Sequence, residues 1–292
     1  MTNTYLQDFV AKPLFKPSVI LSHDSLYPKI SVITPSYNQE VFIERTILSV
    51  LNQNYPNVEY IIVDDRTPDN SNEIIRKYGE FVKLAGDGTN RGQTAAINYG
   101  LRQATGEIVT FQNADDLYAP NAFYELAKAY TQNPTASVFF GNLYIIDEND
   151  LIQNEMRMTP FSLEEHLTLG MQAHNQALFL KRDLLKQVGY LDEKYNYSFD
   201  YELIMRVGSA SGVLLKYVEN LWGAFRIHSQ SKTTNITSSY KNERVEISQK
   251  YQKQLGIKPN YTWVRAKSYL RKLIYWFGQG QWKYLLRKLT SN

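Results

Sequence analysis

The chain has no cysteine. Disulfides, thiolate metal sites and a cysteine nucleophile are thereby excluded, and the absence fits a reducing cytoplasm. No run of about eighteen apolar residues occurs, so no helix is expected to span a bilayer. Residues 1–28 show neither a basic start followed by an apolar run nor a small-residue cleavage site, and no secretion signal is expected. Acid is missing from one region: residues 247–292 hold no Asp or Glu and ten Lys or Arg, while residues 1–246 carry a net charge of −7. An acidic body with a basic tail points to an anionic surface as a partner of the tail. What remains is the composition of a soluble globular protein, and 292 residues suffice for one large α/β domain, or for one with an extension.

The most informative stretch runs from Gly106 to Pro120, where the apolar, β-branched Ile108-Val-Thr-Phe111 leads into two adjacent carboxylates, Asp115 and Asp116. Such a run suits a buried strand, and Pro120 suits the first turn of a following helix. The acids therefore lie at the carboxyl end of a strand. Ligands of open α/β sheets bind there, and neighbouring carboxylates attract a hard divalent cation with its phosphates. Two like charges side by side repel, so a cation or strong donors are needed to offset them.

The pattern recurs upstream. Ile30-Ser-Val-Ile-Thr34 reads as a strand running into Pro35-Ser-Tyr-Asn38, and Glu59-Tyr-Ile-Ile-Val63 as a second strand ending in Asp64 and Asp65. Apolar residues at 43, 47, 50 and 51 mark a helix over 41–53, and Ile74, Ile75 and Tyr78 a short one stopped by Gly79. A third strand is read at 81–84, then a donor-rich loop over 87–92 that contains Arg91, then a helix over 94–104 whose small Ala95 and Ala96 allow close packing on the sheet. Short connections between alternating strands and helices predict a mostly parallel sheet covered on both faces. Farther on, the reading gives a helix over 121–133, a strand at 137–140, and a hairpin joining 143–146 to residues from 151 onward. A capping box, Ser162-Leu-Glu-Glu165, opens a short helix. A strand at 177–180, a helix over 200–209 and a late strand at 222–227 leading to His228 complete the body.

These strand ends suit nucleotide-sugar chemistry. A glycosyl donor with a diphosphate leaving group needs a cation for the charge that builds as the bond breaks, and Asp115 with Asp116 are candidate ligands. The base and ribose need a carboxylate acceptor and an aromatic face at another strand end, which Asp65 and Tyr37 offer. An attacking hydroxyl must lose a proton, so a further carboxylate is required across the sugar, and Asp200 is the candidate.

Ser31-Val-Ile-Thr-Pro-Ser-Tyr-Asn38, Ile61-Ile-Val-Asp-Asp65, Asn113-Ala-Asp-Asp116 and Phe199-Asp-Tyr-Glu-Leu-Ile-Met-Arg206, taken in this order, resemble glycosyltransferase family 2 from about residue 29 to 231. The resemblance implies the GT-A fold, a Rossmann-like α/β sheet flanked by helices, with a C-terminal helical extension. It implies that Pro35, Tyr37, Asp65, Arg91 and Asn113 serve the donor nucleotide. Asn113-Ala-Asp115 falls on the family's Asp-x-Asp metal motif, which makes Asp115 a direct ligand of Mn2+ or Mg2+ with Asp116 in support. Asp200 falls on the catalytic base of inverting members, followed by Arg206, and Phe225-Arg-Ile-His228 on a late motif that places His228 at the metal or diphosphate. Departures are visible as well. Asn113 stands where many members have an acid, Arg66 where they have a small residue, and the Gln-x-x-Arg-Trp motif and membrane spans of processive synthases are missing. The implied activity is a single transfer from a nucleotide-diphosphate sugar to a glycan or lipid-linked glycan, as in cell-surface polysaccharide biosynthesis.

Blander readings stand beside these. Asp64 and Asp65 serve equally to end a strand, Asp115 and Asp116 to favour the next helix's dipole, Asp200 to cap its helix and His228 to fill the interior. A silent binding protein of the same fold and a sugar nucleotidyltransferase are the rival functions, the latter disfavoured because the loop after the first strand lacks glycine. Nucleic acid is not an expected partner. The expected organisation is an extended arm over 1–28, the catalytic domain over 29–240 and a basic amphipathic tail over 241–292. In the tail, Trp263, Leu270, Leu273, Ile274 and Phe277 fall on one helical face, and Trp282, Leu285, Leu286 and Leu289 repeat the theme. That face either docks on the acidic body or lies on a membrane through residues 263–290. The expected location is the cytoplasm, at the inner face of the plasma membrane in the second case.

Overall fold

Of the arm expected over 1–28, residues 16–26 lie outside the described residues, and within 3–15 Tyr5–Val10 coil into a helix, α1, that buries Leu6 and Val10 against α2 (Ile43–Leu51). The computed structural model describes residues 3–15, 27–229, 231, 238–282 and 284. Between α1 and α2 lies β1 (Ile30–Ser36), every residue of which is buried, as a central parallel strand requires. The alternation read from the sequence continues through β2 (Val58–Asp64), α3 (Ser71–Arg76), β3 (Lys83–Ala85), α4 (Gln93–Gln103) and β4 (Ile108–Phe111). The third strand starts two residues later than its apolar run suggested, because Phe81 and Val82 finish the turn after α3. Helix α4 lies close on the sheet through Ala96 and Gly100. A Cβ at Gly100 would sit 2.6 Å from Ile33 Cγ2, so the helix position itself requires the glycine.

Strands β3, β2, β1 and β4 pair in parallel in that order. The chain leaves β1 toward β2 on one side and returns to β4 on the other, so the sheet's switch point, and a crevice at the carboxyl ends, lies between β1 and β4. Past β4 the sheet becomes mixed. After β5 (Leu117–Tyr118) and α5 (Ala122–Gln132), β6 (Val138–Ile146) runs as one nine-residue strand where the sequence suggested a strand and a separate hairpin arm. It pairs antiparallel with β7 (Ile152–Met156) and, beyond α6 (Leu163–Leu169) and a turn of 3-10 helix at Asn175–Ala177, with β8 (Leu178–Lys181). Helix α7 (Arg182–Val188) follows β8, α8 (Phe199–Ser209) comes next, and β9 (Leu215–Arg226) inserts parallel to β6. The expected α/β class is what folds: a parallel half that carries the crevice, and an antiparallel margin that closes one side of it.

A boundary at residue 240 cuts through α9 (Ser238–Leu255), and this helix belongs to the body. Ile247 and Tyr251 are buried in the main core, each worth about 1.5–3 kcal/mol of burial. Glu246 pairs with Lys194, and Tyr251 donates to the buried Glu202 of α8 at 2.8 Å. Helix α10 (Tyr261–Gly278) then packs on α6.

Candidate active site

Each parallel strand delivers its functional side chains as it leaves the sheet. Pro35 and Tyr37 follow β1, Asp65 follows β2, and Asn113 to Asp116 follow β4. Pro35, Tyr37, Asp65, Asn113 and Asp115 line one open cleft of about 470 Å3. Tyr37 is half exposed at its mouth, 49%. Asp65 is buried, and its two oxygens accept the backbone N–H groups of Arg91 and Gly92 at 2.7 and 2.9 Å. The carboxylate thus ties the 87–92 loop to the cleft wall while keeping lone pairs for a ligand. Arg91 contributes only its backbone. Its guanidinium grips Asp87 at 2.6 Å and covers the Tyr99 ring at 4.5 Å.

The two adjacent acids differ in kind. Asp115 reaches the cleft, one-fifth exposed, with Oδ2 3.0 Å from His228 Nε2. Asp116 is buried, and its oxygens accept the Arg226 backbone N–H at 2.9 Å, the Gln176 amide at 2.8 Å and the Asn113 amide at 2.9 Å. Burial first, then the Asp115 charge beside it, push its pKa well above the carboxylate range. Asp116 thus braces the turn from within, and Asp115 is the acid of the pair that lines the cleft. Asn113 joins this lattice by also accepting from Gln93 Nε2 at 2.9 Å. The amide at 113 is thereby explained. A carboxylate there would replace this donor with a second negative charge beside Asp116.

The acidic turn is braced from three sides, none of them visible in the motif. Thr46 of α2 donates to the carbonyls of Ala114 and Asp116 at 2.8 and 3.0 Å. Gln176 reaches Asp116 because β9 passes it with no side chain at 223, where a Cβ would fall 2.0 Å from the Gln176 carbonyl oxygen. Arg226, fully buried, donates from Nε to the Asp115 carbonyl at 2.5 Å, pairs with Asp150 at 2.5 Å and lies over Phe42. Asp150 in turn holds Arg45 at 2.7 Å. Gln93, Gln176 and Arg226 went unnoticed in the sequence. For Arg226 there was a signal, since it sits inside the Phe225-to-His228 run.

Asp200 occupies the first turn of α8 and lines a second cavity of about 270 Å3. Gln93, Asn113 and Phe225 line both spaces, so the two adjoin. Burial raises the Asp200 pKa to about 6, against the Tyr201 backbone N–H that favours the anion at 2.7 Å. Arg206 acts at a distance from the cavity. Its guanidinium clamps Glu202 and the carbonyls of Val188, Gly189 and Tyr190 at 2.7–2.8 Å, fixing the chain that leads into α8.

Among the described residues no three His, Asp or Glu side chains gather as a metal cage. Asp115 on the cleft wall and His228, buried beside it, offer an adjacent carboxylate and imidazole, a donor set that fits Mg2+ or Mn2+, which keep substrate phosphates and waters as their other ligands.

The model of glycosyl transferase family 2 matches residues 31–222, which spans the ends of β1, β2 and β4 and Asp200 and stops short of His228. The chain belongs to that family. Among curated relatives of this family-2 chain, an uncharacterized glycosyltransferase of Haemophilus influenzae is 29% identical over 73% of this chain and 92% of its own length. The chondroitin synthase of Pasteurella multocida is 27% identical over 82% of this chain but only 25% of that much longer protein. Two solved structures share the fold. S. aureus TarS 1-349 in complex with UDP-GlcNAc has a TM-score of 0.60 at 19% identity, covering 81% of this chain and 69% of that one. The mannosyltransferase PcManGT from Pyrobaculum calidifontis, in complex with GDP-Man and Mn2+, has a TM-score of 0.57 at 18% identity, covering 92% and 76%.

Proposed function

We propose that this family-2 glycosyltransferase is an inverting, metal-dependent enzyme that moves one sugar from a nucleoside-diphosphate donor to a hydroxyl of a glycan or lipid-linked glycan. One observation carries the reading: Tyr37, Asp65 and Asp115 line one cleft, and Asp200 lines the cavity that adjoins it. Pro35, Tyr37 and Asp65 hold the base and ribose. Asn113 orients Asp116 and borders the donor, and Asp116 acts as a brace for the turn rather than as a ligand. Asp115 and His228 would hold Mn2+ or Mg2+, which when bound offsets the charge of the departing diphosphate. Asp200 takes the proton of the acceptor hydroxyl as that oxygen bonds to the anomeric carbon. The bond to the diphosphate breaks on the opposite face, and the configuration inverts. Support for the donor class comes from the UDP-GlcNAc and GDP-Man bound by TarS and PcManGT, for the metal from the Mn2+ of PcManGT, and for a role in polysaccharide synthesis from the chondroitin synthase relative.

The test is transfer by purified protein from a panel of UDP- and GDP-sugars to glycan acceptors. Asp200→Asn is expected to bind donor normally and to lose at least about a hundredfold in kcat, the usual contribution of a positioned base. EDTA is expected to abolish turnover, and Mn2+ or Mg2+ to restore it. Undiminished transfer by the variant removes the base, and full activity in chelator removes the metal.

A further inference from the structure

Helix α10 is held to the body by one side only. Val264 and Ser268 are buried there, and Ser268 donates to Glu165 at 2.8 Å. Arg271 spans Glu165, the Pro160 carbonyl and Thr159 at 2.6–3.1 Å, and Tyr275 meets the Tyr217 ring. These contacts fix the roll of the helix. At about 100° per residue, Trp263, Leu270, Ile274 and Phe277 then form a separate stripe roughly a third of a turn away. They are 67, 58, 64 and 58% exposed. Trp282 extends the stripe, half exposed, with its ring centroid 4.2 Å from that of Phe277. The sequence offered docking or membrane contact for this apolar face. The helix docks, but through a different and largely polar face, and the apolar one is left outward. Large apolar side chains gathered in one exposed stripe mark an interaction surface, unlike those scattered singly.

We propose that this stripe seats on the surface of an anionic lipid bilayer, with α10 lying in the interface plane. Charge selects the occupant. Residues 247–292 carry ten Lys or Arg and no acid; at about 100° per residue Arg265 and Lys272 lie on the polar side of α10 away from the stripe, and Lys267, nearest to it, pairs with Glu164 at 3.1 Å. A second copy would bring the same cations against themselves, whereas anionic headgroups match them while the tryptophan and aliphatic side chains enter the headgroup boundary. Among the described residues no helix is long and apolar enough to cross a membrane, so the contact is interfacial. The proposal does not depend on the chemistry of the cleft.

The experiment is co-sedimentation of the full chain with vesicles of phosphatidylcholine and phosphatidylglycerol in equal parts, and with phosphatidylcholine alone, beside the variant Trp263→Ser/Leu270→Ser/Ile274→Ser/Phe277→Ser. Because the four side chains are exposed, the variant is expected to keep the wild-type melting temperature. The wild type is expected to bind the mixed vesicles preferentially and to be released by salt, and the variant to bind at least about tenfold more weakly. Wild type that stays in the supernatant with anionic vesicles overturns the proposal, as does undiminished binding by the variant. A wild-type dimer that the variant turns into monomer, without vesicle binding, assigns the stripe to a second copy and overturns it too.

Discussion

Burial lifts Asp200 from the ordinary aspartate range to about 6, so a group placed to take a proton changes charge close to neutral pH. The sign of the linked effects follows. Transfer should rise with pH through about 6 and level off as the carboxylate forms. Stability moves the other way: between the ordinary value and about 6 the folded protein holds a proton that the unfolded chain has released, so stability falls as pH rises through that window. Asp200→Asn removes the cost, and we expect it to be more stable than wild type near neutral pH, by up to roughly 2 kcal/mol, while it is inactive. Thermal melts at acid and neutral pH beside a pH profile of kcat/KM check both halves. Asn113 is a second case where one atom type decides. Asn113→Asp would place a carboxylate 2.9 Å from Asp116 in the place of a donor. We expect a loss of about 1–3 kcal/mol, partly recovered at low pH as one of the two acids takes up a proton. A melting temperature unchanged at neutral pH would show that the amide's donor is dispensable.

At the scale of elements, the parallel half was legible because its strands are short apolar runs and its helices carry one apolar face, so periodicity alone separates them. What remained hidden was support that arrives from far along the chain. Glu243 of α9 accepts the backbone N–H groups of Asn196, Tyr197 and Ser198 at 2.9–3.0 Å and so holds the loop that launches α8 and Asp200. No local pattern announces a carboxylate that acts 45 residues upstream of itself. The same holds for Gln176 and Arg226 around Asp116, whose partners lie 60 and 110 residues away. Motif reading named the acid and could not tell that three hydrogen bonds already hold it. Glu243→Ala should release the 196–198 loop. We expect about 1–2 kcal/mol of lost stability and a fall in kcat with donor KM little changed, since the loop leads to Asp200 and the nucleotide side is untouched. A donor KM that rises while kcat is unchanged would place the loop on the nucleotide side instead.

Across the whole molecule, the alternation of strands and helices and the strand ends that carry the carboxylates were readable, whereas the way residues 238–278 pack was not. Composition changes near residue 247, but packing does not change there. Helix α9 is polar along much of its length, with Ile247 and Tyr251 the two side chains it sinks into the core, so its commitment to the body rests on a sparse stripe and on ion pairs that hydropathy does not weigh. Helix α10, by contrast, shows a clear apolar face in the sequence, and that face is not the one that packs. Two truncations separate the roles. A chain ending after Thr237 loses both core side chains, the Glu243 acceptor and the Tyr251 hydroxyl on buried Glu202. That would leave buried Glu202 short of two partners, Tyr251 and Lys250, and the entry to α8 unheld, and we expect no cooperative unfolding transition. A chain ending after Leu255 keeps all of these and sheds the α6–α10 contact, the Tyr275–Tyr217 ring pair and the Gln281 bonds to Arg157 and Glu219, and Glu165 becomes solvated once Arg271 leaves. It should melt cooperatively and retain donor turnover. Calorimetry of the two proteins decides the point, and a cooperative transition in the shorter one would return α9 to the tail.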